Sequence, residues 1–222
     1  MLNSFNIIKI TMKNFGQLYQ SIGGFCLILS GFIAAVALSF HPSKFIPGSA
    51  LADLWSPTHL ALLIAFTLSV IGMTGVYSFL KDEVTLFNRI AYIFGMIGSI
   101  WSVTIVVIEV FVLPAIPADS THLMPLMDMT LLGESLNKLK VFFFCAVSFW
   151  LLGWILTGIA LVMSNKLPAY IGYFLIGACI GLGILTLFTN GEFEMLHIVF
   201  GLIFGTSWIL LGNSIRKYDM PY

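Results

Sequence analysis

The side chains in this sequence that could do chemistry are four histidines and a few carboxylates. The histidines are His41, His59, His122 and His197; the carboxylates near them in position are Asp53, Glu109, Glu192 and Glu194. Imidazoles beside a carboxylate can bind a divalent metal. Two imidazoles on facing helices can ligate haem iron. A His–Glu pair can relay protons or hold a polar ligand such as a quinone. The spacings select none of these, because there is no H-E-x-x-H, no C-x-x-C-H and no phosphate loop. Nothing here has the form of a catalytic constellation, so a binding role is expected rather than an enzyme. Cys26, Cys145 and Cys179 all lie in apolar runs and read as small buried hydrophobes.

The elements that must position these residues are membrane helices. Of 222 residues, 59% are hydrophobic and 9% charged, against roughly 25% charged in soluble domains. Mean hydropathy is +1.01. Net charge is zero with no basic run, which excludes a nucleic-acid partner. Six stretches can cross a hydrocarbon core of roughly 30 Å: Ile22–Phe40, Pro57–Leu80, Ile90–Leu113, Val141–Met163, Leu167–Phe188 and Met195–Gly212. Without water, each must satisfy its own backbone, so each is a helix. The fold expected is an all-α polytopic six-helix bundle in one domain, with the lipid bilayer of the cell (plasma or inner) membrane as its partner. "AVA" at Ala35–Ala37 resembles a cleavage site, but the apolar run continues to Phe40, so the first helix is expected to be retained.

Basic residues orient the bundle. With six spans both ends share a side, and that side holds Lys9, Lys13, Lys81, Arg89, Lys166, Arg216 and Lys217, against Lys44, Lys138 and Lys140 opposite. Both termini are expected in the cytoplasm. All four histidines then fall on the outer side. Glu109 lies about four residues inside the outer end of the third span, roughly 6 Å below the boundary. A membrane carboxylate is a functional candidate by default. His59 and His197 open the second and sixth spans at similar depth, so they meet if those helices are neighbours. Trp55 reads as an interface anchor, and Ser56–Pro57 as a capped helix start.

One connection is long. Residues 114–140 begin with the irregular "PAIPADST", and "HLMPLMDMTLLGESLNKL" then suits a short interfacial helix or a lid. The first twenty residues suit a second interfacial helix. Gly177-x-x-x-Gly181 and Gly201-x-x-x-Gly205 allow close helix approach, within the bundle or across a homodimer.

A span ending near "HP", then "WSPTHL", then "IEVFVLPAIP", a long outer loop and three more spans follow in order. This layout resembles the small six-helix bacterial integral membrane proteins grouped as domains of unknown function. The resemblance implies the bundle and carries no activity. The expectation is a membrane protein with an outer-facing pocket lined by His59, Glu109 and His197 that binds a small ligand, divalent metal or haem. The alternatives are a small transporter of an uncharged or lipid-like solute, or a membrane scaffold.

Overall fold

A computed structural model describes residues 4–41, 53–82, 85–115, 134–188 and 194–218. The described residues form six long helices and no strand. They are α1 (Ser4–Ser39), α2 (Trp55–Leu80), α3 (Thr85–Val107), α4 (Glu134–Ser164), α5 (Ala169–Phe188) and α6 (Glu194–Lys217). Five contain segments long and apolar enough to cross a membrane; the described apolar part of α5, Ala169–Leu185, is shorter. The expected loop segment 116–133, with His122, lies outside the described residues, as does Glu192.

Two helices extend furthest beyond the expected spans. α1 runs without a break from Ser4, so no separate interfacial helix precedes the first span. No proline interrupts those residues, and the Gly23–Gly24 pair is held helical by close neighbours. α4 begins at Glu134, seven residues before the expected boundary. Its first turns carry the polar Glu134, Asn137 and Lys138 that suggested an interfacial segment.

Each helix packs on its sequence neighbours, and α6 closes the ring onto α1. Pairs run antiparallel: Gly23 meets Gly75 while Ser30 Oγ donates to Ala65 O, and Gly24 meets Gly212 while Gly31 meets Gly205. Both chain ends therefore lie at one end of the ring, where Gln20 Nε2 donates to the carbonyls of Ile215 and Tyr218. The outer faces are apolar, with Phe25, Phe32, Ile64, Ile93, Phe144 and Ile184 exposed. The ring's centre holds Trp150, Trp154, Phe204 and Trp208, packed with Leu27, Met73 and Leu175.

Glycines set the helix spacing. A Cβ on Gly23 would stand 2.6 Å from the Cα of Gly75, and one on Gly158 would stand 2.9 Å from the carbonyl oxygen of Gly172. Gly201 and Gly205 face α1, against Leu38 and Ala35, and Gly181 is covered by the Phe200 ring. Of the four glycines in the spaced pairs, Gly177 faces open space. Gly23→Ala must push two backbones apart, an overpacking cost of about 1–3 kcal/mol. A lower unfolding midpoint is expected for Gly23→Ala, whereas Gly177→Ala should hold or raise it. Equal midpoints for the two variants would show that backbone contact does not set the α1–α2 spacing.

Candidate functional site

The end of the ring opposite the termini gathers His41, Trp55, His59 and Glu109. Its construction begins with Pro114. In α-helical register the Pro114 ring would press on the carbonyl of Val110 and offer it no N–H. α3 avoids that register: residues Ile108–Val112 form a π-helical turn, in which the Leu113 N–H donates to Ile108 O, followed by a 3-10 turn over Leu113–Ala115. Such wide turns are rare and concentrate at functional sites.

The wide turn creates a new deficit. With Leu113 bonded to Ile108, the next donor in line for the Glu109 carbonyl is residue 114, which is proline and has none. The indole of Trp55 supplies it from α2, Nε1–H donating to Glu109 O at 2.7 Å. Trp55 is 1% exposed. It is a buried cross-helix donor, which corrects the expectation of an interface anchor. Ser56 does not cap the helix either; α2 begins at Trp55 behind Leu54, with no side-chain cap. A first-turn bond from Thr58 N–H to Leu54 O serves instead.

One turn into α2, His59 is fully buried. Its Nδ1 lies 2.8 Å from the carbonyl oxygen of Trp55. A carbonyl only accepts, so Nδ1 carries the proton there and Nε2 is turned towards α3. Nε2 meets Glu109 Oε2 at 3.7 Å. The Trp55 ring stacks on the imidazole with centroids 4.1 Å apart, and His41 closes a further side at 4.8 Å. Glu109 is itself buried, at 5% exposure.

The structure thus brings together two of the three expected site residues, His59 and Glu109. His197 opens α6 on the backbone, but its side chain lies outside the described residues. α6 and α2 flank α1 on opposite sides and make limited contact with each other. His41 and His59 share the outer side in the sequence, but their contact depends on the ring bringing the end of α1 against the start of α2. Trp55 had a readable signal: positions 55 and 59 share one helical face. Glu109 and Pro114 are five apart, the π spacing, but that carries meaning only once the wide turn is known. Asp53 is exposed at the helix start.

The geometry tests the expected cofactors. For haem, the nitrogen that would serve as an axial ligand, His59 Nε2, stands 3.7 Å from Glu109 Oε2. For a metal ion, His59 has the usual supporting bond, its far N–H held by a backbone carbonyl. Among the described residues, however, no group of three or more His, Cys, Asp or Glu side chains could hold a metal ion. The pair sets a carboxylate oxygen and an imidazole nitrogen facing one another, 3.7 Å apart. Comparison with family models, curated proteins and solved structures finds no match.

Trp55→Phe keeps the stack on His59 and strips the Glu109 carbonyl of its donor. An unsatisfied buried carbonyl costs about 1–3 kcal/mol, read as lost unfolding free energy. Pro114→Ala restores an N–H at the position the π register needs. The double variant should therefore lose less than the sum of the two single changes; strict additivity would break the link between Pro114 and Trp55.

Proposed function

We propose that this chain is a six-span protein of the cell membrane that binds a small ligand at His59 and Glu109. Both termini lie in the cytoplasm and the His59 end faces outward. The excess of Lys and Arg at the end carrying the termini supports that orientation. The antiparallel ring supports α5 as a sixth crossing, since it packs between α4 and α6.

One observation carries the ligand reading: a carboxylate buried at the end of an apolar bundle, 3.7 Å from a buried imidazole nitrogen. A charge at the centre of a bilayer costs about 2.5–3.5 kcal/mol, and less near its edge. A chain that needed only packing at this position would be better served by leucine. The Trp55 bond to the Glu109 backbone, the Trp55 stack and the His59–Trp55 bond hold the pair in a fixed geometry. Such a site suits a group that brings positive charge or an N–H donor to Glu109. A small amine offers both through one group, whereas a metal ion would require ligands beyond these two.

Titration of the purified full chain with n-butylamine, followed by thermal shift, tests the site. Saturable stabilisation is expected, weakened at least tenfold in Glu109→Gln and in His59→Gln. Stabilisation that both variants retain would remove the pair from the binding site. A reporter fused after the C-terminus should be active in the cytoplasm; activity outside would reverse the orientation.

A further inference from the structure

The six helices are not equally coupled. In α6, α1 and α2 glycines reach backbone to backbone, with Gly23 against Gly75, Gly24 against Gly212 and Gly31 against Gly205, beside glycines covered by side chains such as Leu27 on Gly72 and Leu38 on Gly201. The same holds in α3, α4 and α5, with Gly98 against the Trp150 backbone, Gly95 against Gly153 and Gly158 against Gly172. At the two junctions between these triplets, the described glycines meet side chains and no backbone. The Met73 methyl lies on Gly95 between α2 and α3, and the Phe200 ring lies on Gly181 between α5 and α6. The ring is therefore two three-helix units joined along a softer seam.

Polar contacts across the seam stand at its two ends, with one weak hydroxyl–thioether contact between them, Thr157 Oγ1 to Met73 Sδ at 3.9 Å. At one end Trp55 and His59 reach Glu109. At the other, Lys166 Nζ donates to the carbonyl of Phe79 at 3.2 Å, between the rings of Phe79 and Tyr218. In the middle the seam is aromatic. Trp150 and Trp154 from α4 meet Phe204 and Trp208 from α6 with centroids 4.9–6.3 Å apart, and Phe66 from α2 edges onto Trp150 at 5.6 Å. Three indole N–H groups, of Trp150, Trp154 and Trp208, have no hydrogen-bond partner among the described residues, although these tryptophans are 8%, 0% and 0% exposed. Buried donors are nearly always partnered. Phenylalanine would fill the same space without that cost, as Phe204 does.

We propose that the seam opens and that Trp150, Trp154 and Trp208 form a binding site within it for a small neutral carbonyl compound with an apolar body. The inference does not require the amine site at His59 and Glu109. Three donors without an acceptor select a hydrogen-bond acceptor. The site contributes neutral donors and no cation, so an anion would lose more hydration than they return. The aromatic walls select an apolar body. The two polar clasps are the gates, each spanning both units, so releasing either frees one end of the seam. This is the arrangement a carrier of uncharged solutes requires.

The test uses full-length protein in lipid nanodiscs with 15N-labelled indoles, giving five tryptophan signals assigned by single Trp→Phe changes. Cyclohexanone is the probe. Saturable shifts are expected at Trp150, Trp154 and Trp208 but not at Trp101; a linear drift common to all five would mean partition into lipid and overturn the site. The second reading is indole N–H exchange in D2O. Glu109→Gln and Lys166→Gln are each expected to speed exchange of the three central indoles at least tenfold. Exchange unchanged in both variants would show one rigid body and overturn the seam, whether or not amine binding survives.

Discussion

Pro114 has no N–H to give, and the histidine end of the bundle is arranged around that deficit. In water the missing donor would be replaced by solvent. In an apolar bundle it must be replaced by protein. The wide turn over Ile108–Val112 moves the shortfall from Val110 to Glu109, and Trp55 repairs it from the neighbouring helix. That repair fixes Trp55 in place. The fixed indole then supports the His59 ring through stacking and through its own backbone carbonyl. The Glu109 side chain meets His59 because the same residue's carbonyl has been drawn to the same partner helix. Backbone accounting thus positions the side-chain chemistry.

The bundle reverses the usual distribution of polarity. Its outer faces are Phe, Ile, Leu and Val, while Ser30, Ser69, Ser99, Thr157 and Ser207 are buried inside. Most of these hydroxyls bond to helix carbonyls: Ser30 to Ala65, Ser69 to Phe66, Thr157 to Gly153, Ser207 to Ile203. Small residues with self-satisfied hydroxyls let the helices come close without a hydrophobic driving force between them. The large aromatics Trp150, Trp154, Phe204 and Trp208 pack together at the centre.

Much of the architecture was legible in the sequence because a bilayer imposes length and apolarity on every crossing segment. The start of α2 and the span of α3 sit within a few residues of the expected positions. The boundaries that moved most, at α1 and α4, lie where polar residues continue a helix past the apolar run, and hydropathy has no view of that. Glu109 stood out because a carboxylate inside an apolar run is costly wherever it points. His41 and the role of Trp55 did not stand out. Each draws its meaning from a residue on another helix, through contacts that exist only after the ring closes. The division into two units was also hidden, since glycines facing backbone and glycines facing side chains look the same in a one-dimensional string.

The closure of α6 onto α1 has a consequence for how the molecule is made. Helices α3, α4 and α5 are consecutive, so their unit is complete while the chain is still being synthesised. The other unit is split: α1 and α2 emerge first, and Gly24 and Gly31 receive their partners, Gly212 and Gly205, only when the last helix arrives. For most of its biogenesis the first helix therefore carries an unclaimed groove of bare backbone. Among the described helices, the contacts of Gly24 and Gly31 with α6 are therefore the last that α1 can make.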